Sequence, residues 1–204
     1  MTQREAQKQK TRRKLVGAAL ELSATKGLGA LSLREVTKKA GITPSAFYRH
    51  FHDVEELGLA LIDEVGLSLR QLLREGRRRV EPKGDVVRAT IEVFVRYVVE
   101  NANLFRIVQG ERQGASSAYR KALYAEIGRF VEEVADYVEQ LQGAAGRPVG
   151  DAALAAEAIV AVVFTVGGEA MDVPRHHRPA LVDRVVKEVK MILRGALLPP
   201  NGRS

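Results

Sequence analysis

The chain has 204 residues, no cysteine, and a formal net charge of +7 from 32 basic and 25 acidic residues. A disulfide framework, a thiolate metal site and a thiol nucleophile are thereby excluded, and an apolar fraction of 46% argues against a disordered chain. The charge is unevenly placed: residues 1–52 hold 11 basic and 3 acidic residues, a net +8, while residues 53–204 hold 21 and 22, a net −1. A block of one sign on one module points to a polyanion partner. Residues 1–10 are polar and basic, without the apolar stretch of a secretory signal. The most apolar window, 152–168, is interrupted by Glu157 and Thr165 and is shorter than the roughly 20 residues of a spanning helix. It is expected as a buried helix, in a cytoplasmic protein with no membrane partner.

Apolar spacing predicts helix almost throughout. In residues 9–25, Leu15, Val16, Ala19, Leu20 and Ala24 recur near a 3.6-residue period, and Gly27-Leu28-Gly29 supplies a left-handed helix end. Ser32 is an N-cap, with Glu35 at the capping-box spacing, for a short helix over 33–40. Gly41-Ile42 makes a tight turn. Thr43 caps the next helix, with Pro44 at its first position, where no donor is lost; this helix is expected to reach 50–52. Asp53 caps a long helix from 54 to 79, with Val54, Leu57, Leu61, Val65, Leu69 and Leu72 on one stripe and Leu59, Leu67 and Leu73 off it. Further helices are expected over 85–100, 103–112, 116–141, 151–171 and 180–194, the third-last ending its apolar stripe at Val134, Val138 and Leu141, and 197–204 reads as a frayed tail. The fold class is all-α, with about nine helices and no competing strand alternation.

Two short helices joined by a Gly-containing turn over 32–51 have the form of a helix-turn-helix. Leu33, Val36 and Ala40 form the inward set of the first, Ile42 covers the turn, Phe47 and Phe51 face inward from the second, and Leu15, Val16 and Ala19 supply a third wall. With Phe47 inward at 100° per residue, Ser45 and Arg49 point nearly opposite, Ala46 and Tyr48 lie on the flanks, and Thr43 and Pro44 at the tip. Small side chains let a helix sink into the major groove, where Arg takes guanine edges and methyls meet thymine. Tyr48 and His50 are placed for backbone phosphates, and Arg12, Arg13, Arg34 and Lys38 add charge-assisted phosphate contacts. A solvated charged face is the alternative for the same lysines and arginines. His50 and His52 lie too close to the expected DNA face to suggest a metal site, His176-His177 lie in a loop without carboxylates at ligand spacing, and no catalytic constellation stands out.

The run Leu31-Ser-Leu-Arg-Glu-Val, Ala40-Gly-Ile42, Phe47-Tyr-Arg-His-Phe51, Asp53 and Glu56-Leu57 resembles the TetR family of transcriptional regulators over about 45 residues, and the helix count is similar throughout. More narrowly, Thr11-Arg12-Arg13, 47–51, 53–59, Phe105-Arg106, Glu111-Arg112 and Tyr119-Arg120 resemble the fatty-acid branch, repressors of unsaturated fatty acid synthesis and acyl-CoA desaturase genes. The resemblance implies a helix-turn-helix DNA-binding domain over 1–52, a ligand-binding and dimerisation domain over 53–204, a homodimer on a palindromic double-stranded DNA operator, a long-chain acyl-CoA effector, and no cofactor.

An acyl-CoA needs an apolar tunnel and a cationic mouth. Phe94, Tyr97, Phe105, Tyr124 and Phe164 are candidates for the tunnel, and serve equally well as core. Arg106, Arg112, Arg120 and Lys121, beside the helix start at Ser116-Ser117, are candidates for the mouth, against an ordinary exposed cluster. Arg88, Glu92, Arg96 and Glu100 read as a solvated salt-bridged stripe. The last two helices are expected to pair two copies: Ala152, Ala155, Ala156, Ala161, Gly167 and Gly168 allow close approach, and Leu181, Val182, Val185, Val189 and Ile192 give an apolar stripe. Two rivals remain: a regulator of efflux or catabolic genes sensing another lipophilic ligand, and a small helical enzyme.

Overall fold

A computed structural model describes residues 2–78, 84–144 and 151–196. Among these the chain is all-α: α1 (Gln3–Lys26), α2 (Leu33–Ala40), α3 (Pro44–Phe47), α4 (Val54–Arg78), α5 (Val86–Glu100), α6 (Ala102–Glu111), α7 (Ser117–Ala144), α8 (Ala152–Asp172) and α9 (Arg178–Ala196), with 3-10 turns at Leu28–Ala30 and Arg175–His177. They form two compact units, one of Met1–Leu67 with Asn103–Glu126, the other of Ser68–Ala102 with Ile127–Ser204. The expected tail at 197–204, most of the loop at 143–150 and the Leu141 side chain lie outside the described residues.

In the first unit, local capping decides most helix ends. α1 starts at Gln3, six residues before the onset that apolar spacing marks. Its first turns are polar all round, but a complete capping box starts them: Thr2 N–H donates to Glu5 Oε2 (2.7 Å) and Glu5 N–H to Thr2 Oγ1 (3.3 Å). Gly27 ends α1 at φ 80°, a positive φ but outside the left-handed helical well. At Ser32 only half of the expected capping box forms. Ser32 Oγ accepts from Glu35 N–H, while the Glu35 carboxylate takes the Ser32 hydroxyl and Lys26 Nζ (2.6 Å). Lys26 thereby holds the Glu35 pKa below its ordinary value. Gly41 is left-handed (φ 66°, ψ 39°), and Ile42 N–H reaches back to Thr37 O (3.0 Å), closing α2 in a Schellman turn. Thr37, not Ala40, completes the buried face of α2, its hydroxyl satisfied by Leu33 O at 2.7 Å; Leu33 and Ala40 are half-buried.

The same unit is tightened by two close approaches of α4 to α7. A Cβ on Gly58 would stand 2.5 Å from Tyr119 Oη, and one on Gly66 would overlap the Glu126 carboxylate. Both acceptor side chains are buried. Burial, then the charges of Glu55, Glu111 and Asp53, push the Tyr119 phenol up to about 12, so the ring stays neutral where it packs.

In the second unit α5, α8 and α9 pack on one another. α8 is 21 residues and, by length and composition, apolar enough to cross a membrane. One face is instead buried within the unit, and Glu157, Thr165 and Glu169 are exposed on the other. Ala152, Ala155, Ala156 and Gly167, expected to face a second copy, are buried within the chain, as are Leu181, Val182, Val185 and Val189. Small residues here admit α5 and α9. The residues left outward on these helices include Leu154 (62% exposed), Ala161 and Met191 (68%). The α5 stripe is more than a solvated ladder: Arg88 pairs with Asp183 of α9 (2.7 Å) as well as Glu92 (3.7 Å), and Arg96 with Glu75 of α4 (3.9 Å). Each pair is half-exposed, and exposed pairs contribute at most about 1 kcal/mol.

The glycine contacts give a direct stability test. Gly58→Ala forces the Tyr119 ring to move and is expected to destabilise by about 1–3 kcal/mol. Gly128→Ala, on α7 with no atom within 4 Å of the new Cβ, is expected to stabilise by about 0.5–1 kcal/mol. Urea unfolding of the two variants measures both, and equal effects would contradict the packing described.

Candidate nucleic-acid interface and apolar cavity

The helix-turn-helix head is organised around Phe47. Its side chain is 0% exposed, with Tyr48 edge-on at 5.6 Å and Phe51 at 5.8 Å between centroids. Thr43 starts α3 by accepting from Ala46 N–H (3.3 Å), with Pro44 in the first turn. The helix is shorter than expected: it ends at Phe47, and 48–50 continue as tight turns, with Arg49 N–H bonded to Ala46 O and His50 N–H to Phe47 O. The segment mixes these shorter-range bonds with helical ones, Phe51 N–H still reaching Phe47 O at 3.1 Å. The outward set survives the change. Thr43, Pro44, Ser45, Arg49 and Tyr48 (59%) are exposed, and Ala46 and His50 half-exposed.

Charge on this head is arranged by subtraction. Its few acids are occupied: Glu35 by Lys26 (2.6 Å), Glu21 by Lys39 (2.7 Å), and Glu5 by the α1 cap. Arg12, Arg13, Arg34, Lys38 and Arg49 form no ion pair among the described residues, and all are exposed. Arg12 is also held in place, its guanidinium 5.1 Å from the Phe51 ring centroid, a cation–π contact. The surface is therefore a set of positioned cations around a helix of small side chains, the composition that phosphates and base edges require.

The second unit holds an apolar cavity of about 80 Å³. Its walls come from α4 (Leu72, Leu73), α5 (Ile91, Phe94), α7 (Phe130, Val138), α8 (Val163) and α9 (Val189), among others, and no charged side chain lines it. Thr90 faces it with its hydroxyl bonded to Val86 O (2.9 Å). Of the tunnel candidates, Phe94 is in the wall and Phe164 is stacked on the wall residue Phe130 (6.0 Å, 9°). Tyr97 is half-buried with its hydroxyl on Ser68 Oγ. The other candidates belong to the first unit. Phe105 is buried there, Arg106 bonds Asn103 Oδ1 (3.0 Å), and Tyr124 donates to Arg112 O (3.2 Å). Arg120 is engaged by the carbonyls of Gly114 and Ala115. The wall residues of α7 and α8 went unnamed because an apolar stripe reads the same whether it fills a core or surrounds a cavity.

Residues 15–61 match the family model for bacterial regulatory proteins of the tetR family. In fold the chain is similar to a Syntrophomonas wolfei chain given as a candidate TetR-family transcriptional regulator (TM-score 0.77, 16% identity, 93% of this chain and 98% of that one). It is similar also to FadR, the fatty acid degradation regulator of Bacillus halodurans (0.69, 14%, 93% and 97%), and to Salmonella enterica GusR (0.72, 18%, 90% and 95%). At these identities the likeness is one of fold.

His50 gives the head a pH signature. Burial, then the charges of Lys8, Arg12 and Arg49, lower its pKa below the ordinary histidine value. The fold thus favours the neutral ring: stability is full above about pH 6.5 and falls as acid protonates the unfolded chain preferentially. Melting temperatures between pH 8 and 5 are expected to fall less steeply in His50→Gln than in the parent chain; parallel curves would contradict this.

Proposed function

We propose that this chain is a tetR-type DNA-binding transcriptional regulator, a ligand-responsive repressor of fatty acid desaturation and unsaturated fatty acid synthesis genes with long-chain acyl-CoA as its effector. Under this reading it is a regulator and not an enzyme. Residues 1–52 carry the DNA role, with Ser45, Ala46 and Arg49 toward base edges, Thr43 and Pro44 at the tip, and Tyr48, His50, Arg12, Arg13, Arg34 and Lys38 toward phosphates. Residues 53–204 carry ligand and dimer roles, in the cytoplasm. Two copies pair through the outward faces of α8 and α9, where Leu154, Ala161 and Met191 are left uncovered. Half-sites about 34–36 Å apart on a palindrome require such a dimer.

The observation that carries the ligand reading is the wholly uncharged cavity. An acyl chain is the natural occupant of such walls; Arg106, Arg112, Arg120 and Lys121, which belong to the first unit, are proposed for the coenzyme phosphates from the resemblance alone. The FadR similarity, a fatty acid degradation regulator in another organism, supports the reading. Size supplies the switch. About 80 Å³ is less than the roughly 150 Å³ cavity that holds benzene, so a long chain fits only if the helices around it part. The ligand then binds one arrangement far better than the other, which is the condition for shifting an equilibrium. A kinked unsaturated chain and a straight saturated one part the walls differently and are expected to change operator affinity unequally.

A second reading rests on the same walls: an uncharged lipophile needs no cationic mouth, and a regulator of efflux or catabolic genes would sense one. Val163→Phe, which fills the cavity, separates the two when paired with Arg112→Gln/Arg120→Gln. Under the acyl-CoA reading both variants abolish the response of operator binding to oleoyl- and palmitoyl-CoA while DNA binding without ligand persists. A response that survives Val163→Phe would remove the cavity from the account.

A further inference from the structure

We infer that the second unit carries a second ligand site, an open groove between α5 and the start of α9 that binds a small carboxylate with an apolar body. The groove shares no lining residue with the apolar cavity, so the site stands apart from the acyl-CoA reading. It measures about 570 Å³, within the roughly 300–1,000 Å³ of ordinary small-molecule sites. Val95, Val99, Pro179 and Val182 give it an apolar strip, and Arg88, Arg96, Arg175 and Arg178 stand along it. Val95 and Val182 are buried, so the strip is the floor. Val99 and the cavity residue Thr90 are nine residues apart on α5, about two and a half turns. The groove therefore lies on the face of α5 opposite the cavity, and α5 is a wall of both. Val182 and Met191 have the same spacing on α9, so the proposed pairing face leaves the groove open.

Ion pairs fix the register of the two helices. Asp85 pairs with Lys190 and Arg88 with Asp183, so residue numbers fall along α9 as they rise along α5, and 92–99 come opposite 175–182. Arg96, Arg175 and Arg178 thus share one stretch of the groove, and their charges are poorly answered. Arg96 reaches Glu75 only at 3.9 Å, and Arg175 and Arg178 form no ion pair among the described residues. Two acids also line the groove, and four arginines against two glutamates leave it a net +2. Glu92 is taken by Arg88 (3.7 Å), and Glu100 stands at the last turn of α5. Arg178 is oriented as well: its Nε–H donates to Val173 O (3.3 Å), which leaves the two terminal nitrogens as a fork. A carboxylate meets such a fork with two parallel hydrogen bonds, and the valine floor takes an apolar body beside it. A bare inorganic anion would leave that floor in water.

Calorimetric titration of the full chain with octanoate tests the site, with acetate and octanol as its charged and apolar halves. The parent chain is expected to bind octanoate about tenfold or more tighter than either half. Arg175→Gln/Arg178→Gln is expected to lose about tenfold or more of the octanoate affinity. Val163→Phe, which fills the cavity, is expected to leave that affinity unchanged. Melting temperatures check that both variants are folded. Full octanoate affinity in a folded double Gln variant overturns the groove site. Loss of it in Val163→Phe puts octanoate in the cavity and also overturns the site. Octanol binding as tightly as octanoate overturns the carboxylate, and acetate doing so overturns the apolar body. A parent chain that binds no octanoate overturns the groove and leaves the acyl-CoA reading standing.

Discussion

A buried carboxylate joins the helix-turn-helix head to the helices that support it. Glu111, at the end of α6 and 5% exposed, accepts the backbone N–H of Leu28 at 2.7 Å. Leu28 follows Gly27, whose φ of 80° turns the chain out of α1, and is itself 1% exposed. Three needs meet at this point: the donor left by the turn has a partner, the carboxylate has a donor, and a leucine enters the core. Removing such a partner from a buried donor costs about 1–3 kcal/mol. The angle at which α1 leaves this turn sets where α2 and α3 lie. Gly58 against Tyr119 and Gly66 against Glu126 do the same for α4, leaving no room for sliding.

Charge and apolar surface divide the work. The head pairs its acids locally, Glu35 with Lys26 and Glu21 with Lys39, and presents the remaining cations outward. The second unit ties helices together with pairs such as Arg88–Asp183 and Lys190–Asp85 and lines its cavity with uncharged side chains among the described residues. Phosphate attraction is long-ranged and salt-dependent; chain burial is short-ranged and nearly salt-independent. Two inputs of such different physics can be tuned separately in one protein.

The sequence announced the head more clearly than the ligand site. Thr43-Pro44, Gly41 and the Phe47/Phe51 spacing act through local backbone chemistry, and each did what local rules require. The misses have local causes too. The α1 onset was hidden because Gln3 to Lys8 has no apolar period, although Thr2 and Glu5 stand at capping-box spacing. α3 ends at Phe47 and 48–50 continue as tight turns, an end that the i, i+4 spacing of Phe47 and Phe51 does not signal. The small residues of α8 read as a pairing surface, yet they face α5 and α9, since spacing alone does not name the neighbour. Whether a ring such as Phe94 or Phe105 lines a cavity depends on helices far apart in the chain, and periodicity carries no record of that.

The central claim is that a lipid in the apolar interior and DNA on the head compete for, or share, one conformation. Linkage makes this measurable from either end, because the factor by which one ligand changes the other's affinity is reciprocal, typically about 5–150-fold. The most direct measurement is oleoyl-CoA affinity by calorimetry for the free protein and for the protein saturated with operator duplex. The account predicts affinities that differ by the same factor as operator affinity does with and without oleoyl-CoA. Identical oleoyl-CoA affinity in the two states would contradict it.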